Sequence, residues 1–108
     1  MGEDFINKNK EGIKLLDYKK IKNITFKQIE DMKHTIGFDE MKIKGTKYRK
    51  YEPTRNYFDA GPADIEDMET LVKLGLMTKY REHWYYVNGD GKEFLRLVTG
   101  VEILPDMD

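Results

Sequence analysis

The densest concentration of chemically competent side chains lies in residues 42–58. Lys42, Lys44, Lys47, Arg49, Lys50 and Arg55 are interleaved there with Tyr48, Tyr51, Tyr57 and Phe58, and Glu52 is the only acid. Cations neutralise phosphates and release their counterions, while aromatic faces stack on unpaired bases. In a two-stranded ribbon alternate residues share a face. Lys42 and Lys44, with some of Lys47, Arg49 and Lys50, would then form one basic stripe. The competing explanation is plainer: the lysines are a solvated outer face and the tyrosines cover a core.

Other chemistry is poorly supplied. The chain has no serine and no cysteine, so the common nucleophile triads cannot be assembled. Two histidines, His34 and His83, are too few for a histidine-rich metal site. Asp64 with Asp67, and Glu66 with Glu69, are carboxylate pairs that could hold a metal or move a proton. Their clustering is better explained as negative charge at a helix N-terminus. Gly89-Asp90-Gly91 reads as a turn, because the lysine and hydroxyl residue of a phosphate loop are missing. The expectation is a protein without catalytic residues, metal or cofactor.

These side chains must be positioned by an α+β set of elements. The organising stretch is 63–99, which reads helix, β-hairpin, helix. Ile65, Met68, Leu71 and Val72 repeat at helical spacing. Asp64 is expected to cap that helix with Asp67 as an acidic capping-box partner, and Gly75 is expected at the left-handed position that ends it. Residues 76–81 and 84–87 read as strands joined by Glu82-His83, with Trp84 anchoring the ribbon to the core beside Phe94. Asn88 or Asp90 would cap a last helix that turns Phe94, Leu95 and Val98 inward and stops at Gly100.

Upstream, Thr25-Phe26-Lys27-Gln28 matches a capping box. The helix it opens would bury Ile29, Met32 and Ile36, end at Gly37 and leave His34 off the stripe. A weaker amphipathic pattern covers residues 11–20. Met41 and Ile43 alternate with Lys42 and Lys44, and Gly45-Thr46 can make a two-residue turn, so 41–51 is expected to be a hairpin. A short strand is expected around 55–58 and another at 101–104.

Length, charge and composition set the outer limits. With 108 residues the chain supports one domain, expected at 11–104 between a flexible 1–10 and an acidic tail at 105–108. The net charge of −1 hides an asymmetry: residues 1–58 carry +5 and residues 59–108 carry −6. Segregated charge of this kind suits one surface to an anionic partner. Without cysteine, a reducing cytoplasm is the expected setting. No apolar run approaches the ~20 residues of a membrane span, and the first residues lack a signal-peptide core, so no membrane partner is expected.

Two resemblances follow from specific residues. Leu71, Gly75, Leu76, Tyr86-Val87, Gly91 and Phe94-Leu95 resemble the back half of a winged-helix domain, where a helix, a β-ribbon and a final helix follow in that order. Separately, residues 25–104 resemble a group of small phage and prophage proteins. The phrases that carry this are Lys33-His34-Thr35-Ile36-Gly37 and Thr54-Arg55-Asn56-Tyr57-Phe58, with Thr54 standing where the group usually has tyrosine. The phage resemblance implies no established activity and no catalytic residues. A winged-helix protein normally reads DNA with a helix near 64–74, but Asp64, Glu66, Asp67 and Glu69 would set like charge against phosphate there. The expected function is therefore a non-enzymatic, phage-type accessory protein that binds nucleic acid through Lys42, Lys44, Lys47, Tyr48, Arg49, Lys50, Tyr51 and Arg55. The alternative is a protein-interaction module, or inhibitor of a host or phage protein, that uses Glu66 and Glu69.

Overall fold

The computed structural model describes residues 21–106. The expected flexible N-terminus, the 11–20 helix and the end of the acidic tail lie outside the described residues. What is described is a small α+β unit. Its elements in order are α1 (Phe26–Thr35), a 3-10 turn (Glu40–Lys42), β1 (Lys50–Tyr51), β2 (Phe58–Asp59), α2 (Ile65–Lys73), β3 (Met77–Arg81), β4 (Trp84–Val87), α3 (Gly89–Thr99) and β5 (Glu102–Ile103).

The helix ends follow local chemistry. Thr25 caps α1 through its hydroxyl on the Gln28 amide, and the Gln28 side chain accepts from the Thr25 amide at 3.0 Å, which completes the expected capping box. Met32 and Ile36 are fully buried, Ile29 partly so, and Gly37 follows with φ +67. The end of α2 is a complete Schellman arrangement. Gly75 sits at φ +82, its amide bonds to the Val72 carbonyl, and the Leu76 amide bonds to the Leu71 carbonyl. Leu76 is thereby folded into the core. Asn88, not Asp90, caps α3 by accepting from the Gly91 amide at 2.9 Å, and Gly100 ends it at φ +75.

Two strand groups hold the helices. β3 and β4 form the expected antiparallel hairpin, and β2 joins the other edge of β4, giving the order β2-β4-β3. β1 and β5 form a separate parallel pair with Lys50 opposite Glu102 and Tyr51 opposite Ile103. The core gathers Met32 and Ile36 from α1, Met68 and Leu71 from α2, Tyr85 and Val87 from β4, and Phe94 and Leu95 from α3. Gly91 is required where α3 leaves β4. A β-carbon there would lie 2.1 Å from the Leu76 carbonyl oxygen and 2.7 Å from Val87.

Four expectations are overturned. First, residues 41–51 are not a hairpin with a two-residue turn. The Asp39 carboxylate accepts from the Met41 amide and winds 40–42 into a 3-10 turn. Only one bridge, Lys44 with Lys50, closes the loop that follows. Second, Asp64 makes no side-chain cap on α2, because its carboxylate is drawn to Lys27. Third, Val98 is 46% exposed instead of turned inward. It lines an open groove with Phe38, Ile43, Arg49 and Val101. Fourth, Trp84 does not share the core with Phe94. Strand alternation sends Tyr85 and Val87 inward, which leaves Trp84 on the outward face while Phe94 is buried.

Candidate nucleic-acid interface

The basic run is a loop held open by its own backbone. Lys44 and Lys50 exchange two amide–carbonyl bonds of 2.9 Å. Gly45 turns the chain at φ +89, where a β-carbon would meet the Tyr48 carbonyl oxygen at 2.5 Å. Lys50 then enters the parallel ladder with β5, which fixes the far end of the loop. Within 42–50 the side chains of Lys42, Lys44, Lys47, Tyr48, Arg49 and Lys50 are all exposed. Lys47 leans over the Tyr48 ring at 5.5 Å, and that ring is 73% exposed. Among the described residues no salt bridge engages any of these five cations, whereas Lys27, Lys33, Lys79, Lys92 and Arg96 are all paired with carboxylates.

Three of the expected contact residues have structural work. Tyr51 is 1% exposed, and its hydroxyl donates to the Gly37 carbonyl. It packs on Phe38 at 5.0 Å between ring centroids. Its pairing with β5 turns the ring into the core, so it cannot stack on a base, and its assignment to the interface is corrected. Arg49 donates to the Thr99 carbonyl at 3.1 Å, at the end of α3. Arg55 donates to the His34 carbonyl at 2.8 Å and lies over the Tyr57 ring at 5.7 Å. Both arginines thus donate to carbonyls at helix C-termini, that of Thr99 in α3 and that of His34 in α1, the latter also accepting from the Gly37 amide at 3.0 Å.

A second surface was not assembled from the sequence. On the outward face of the β2-β4-β3 sheet, Tyr57 meets Trp84 at 5.8 Å, Trp84 meets Tyr80 at 6.4 Å, and Tyr80 meets Tyr86 at 5.9 Å. Arg81 lies over Trp84 at 5.4 Å and over Tyr80 at 6.0 Å. Tyr57 and Tyr80 are about half exposed. The available signal was the alternation in Trp84-Tyr85-Tyr86-Val87. If Tyr85 and Val87 are core, Trp84 and Tyr86 must face out.

The acidic helix is largely committed to α1 and to the sheet. Lys27 reaches Asp31, Asp64 and Asp67 at 2.9, 2.9 and 3.0 Å. Those hydrogen bonds push its ammonium pKa up. Burial pushes the Asp67 carboxyl up, but hydrogen bonds from Lys27 and Gln28 outweigh that and bring it down. Glu69 accepts from the Tyr85 hydroxyl at 2.6 Å and pairs with Lys79 at 3.2 Å. Of the two acids assigned to a protein contact, Glu66 is exposed, while Glu69 is half-buried and internally bonded.

Among the described residues no group of three histidine or carboxylate side chains is arranged to hold a metal ion. No helix among them is long and apolar enough to cross a membrane. Compared with known proteins, the chain matches no family model, no curated sequence and no solved structure. The phage resemblance therefore rests on the sequence phrases alone.

Proposed function

We propose that this protein is a non-enzymatic accessory protein, phage-type by its sequence phrases, that binds nucleic acid through the loop at 42–50. One observation carries the reading: Lys42, Lys44, Lys47 and Lys50 stand exposed together, with no salt bridge among the described residues. Elsewhere among the described residues Lys27, Lys33, Lys79 and Lys92 each stand beside a carboxylate. A group of unneutralised cations is what a phosphate backbone attracts. Tyr48, beneath Lys47, adds an exposed ring to the same loop.

The winged-helix-like arrangement belongs to the same proposal, with the β3–β4 hairpin as the wing. In it α2 is not the reading helix. Its first turn is occupied by Lys27 and Gln28 of α1, and the basic loop takes its place. A cytoplasmic setting, expected from the absence of cysteine, is part of this reading.

The test is equilibrium binding to fluorescent duplex and single-stranded DNA across a salt series. Wild type should bind more weakly as salt rises. Replacing Lys42, Lys44 and Lys47 together by Gln should reduce the duplex salt slope by about 2 to 3, close to one for each lost phosphate contact. Thermal unfolding should be unchanged, because these side chains are exposed and make no salt bridge among the described residues. Unaltered binding and slope in the triple variant would remove the loop from the account. Arg49 is unsuited to this test, since replacing it also strips the partner of the Thr99 carbonyl.

A further inference from the structure

We propose that the outward face of the β2-β4-β3 sheet is a stacking platform for the unpaired bases of single-stranded nucleic acid. The proposal deepens the nucleic-acid reading and rests on it, but it uses different residues. Tyr57, just before β2, Trp84 and Tyr86 on β4, and Tyr80 on β3 form one continuous row of rings. None of the four is in the buried core, which draws Met77, Tyr85 and Val87 from the same sheet. Large contiguous aromatic surfaces left open to water usually mark a binding site.

The geometry leaves room for a ligand. Successive rings are inclined by 50°, 50° and 47°, so none lies flat on its neighbour, and the cations near them, Arg81 by Trp84 and Tyr80 and Arg55 by Tyr57, are side chains that a base must displace or stack beside. The row is held rigidly. Arg55 bonds the His34 carbonyl and lies over Tyr57. The Tyr57 amide bonds the Thr35 carbonyl at 3.1 Å, β-pairing fixes Trp84 and Tyr86, and Tyr80 sits at the irregularity between Lys79 and Arg81, where it meets both of those rings.

Charge selects the class of ligand. Arg81 offers a guanidinium plane, a group that both stacks on bases and meets phosphates, while Arg55, held on the His34 carbonyl, adds a second positive charge beside Tyr57. Asp59 lies opposite Trp84 in the ladder, and Glu82 follows Arg81 in the turn, so the two positive charges are offset nearby. A nearly neutral aromatic face is poorly suited to a duplex, whose bases are already stacked and whose surface is phosphate. It suits a single strand, whose bases are free to leave one another for protein rings. An aromatic face can also receive a proline-rich peptide, and the experiment separates the two.

Trp84 is the only tryptophan in the chain, so its emission reports on this face directly. An unlabelled oligothymidylate of about a dozen nucleotides should quench that emission. Tyr57→Ala and Tyr80→Ala should each weaken single-strand binding about tenfold while leaving the salt slope unchanged. Tyr57→Phe and Tyr80→Phe should bind as wild type, since stacking needs the ring and not the hydroxyl. Binding that is lost in the triple lysine variant but intact in both alanine variants, with steady Trp84 emission, would overturn the platform and leave the loop standing. Loss in the alanine variants with full binding by the lysine variant would support the platform and remove the loop. A proline-rich peptide that quenches Trp84 where the oligonucleotide does not would overturn the platform, and absence of binding to any nucleic acid would overturn both readings.

Discussion

Tyr85 shows how a single side chain ties the sheet to α2. Burial, and then its hydrogen bond to Glu69, push the phenol up to about 12. The unfolded chain would therefore release this proton before the folded one as pH rises. The associated stability is complete below about pH 10 and is lost as pH climbs through about 12. Glu69 runs in the opposite sense: the Tyr85 and Lys79 hydrogen bonds hold its carboxyl below its ordinary 4.5, so its contribution is present above that value and lost as pH falls. Tyr85→Phe should lower stability at neutral pH, and its difference from wild type in urea unfolding should close in strong alkali. A difference that stays constant to high pH would detach the phenol from this account. None of this was legible in the sequence, where Glu69 reads as one more acid near a helix N-terminus. Sixteen positions separate it from Tyr85, and only the packing of α2 on the sheet brings them together.

At the scale of elements, capping gives the sharpest contrast. Asn88 and Asp64 both precede a helix and both are good capping residue types. Asn88 bonds the Gly91 amide, but Asp64 bonds Lys27 instead. Asn88→Ala should therefore cost about 1 kcal/mol in chemical denaturation. Asp64→Ala should stay within about 0.5 kcal/mol, as expected for a partly exposed member of a surface ion-pair group. Equal losses in the two variants would contradict the assignment. The ends of α1, α2 and α3 were legible because Thr25-Phe26-Lys27-Gln28, Gly75 and Gly100 act on their immediate neighbours. Residues 41–51 do not form the hairpin their alternating pattern predicts, because that pattern is local while Asp39 and the distant β5 strand outcompete it.

For the molecule as a whole, the parallel pairing of β1 with β5 closes the structure. The Glu102 amide bonds the Arg49 carbonyl and the Leu104 amide bonds the Tyr51 carbonyl, each at 2.9 Å. Val101 and Ile103 are buried behind that ladder. A chain stopped after Gly100 would lose both side chains from the core, about 4 kcal/mol at the usual worth of a buried aliphatic residue. That is a large share of the 5–15 kcal/mol typical of a domain. The truncated chain should show a much lower thermal midpoint, read by near-ultraviolet circular dichroism, together with increased exposure of Tyr51. A midpoint equal to that of the full chain would show that the ladder closes nothing. The same ladder also anchors one end of the basic loop, so truncation should weaken nucleic-acid binding along with stability.

The sequence by itself determined what depends on near neighbours: the three helices among the described residues, the capping box that opens α1, the glycines that end α2 and α3, the β3–β4 hairpin, and the clustering of cations between residues 42 and 50. Periodicity, capping and turn chemistry act over three to five residues, so these features are written locally. Only the tertiary structure decided which cations are left unneutralised, that Tyr51 is core while Tyr48 is surface, and that Tyr57, Tyr80, Trp84 and Tyr86 form one face. Those outcomes depend on partners far apart in the chain. Tyr51 is buried because residue 103 pairs beside it, and Tyr57 joins Trp84 because β2 docks on β4.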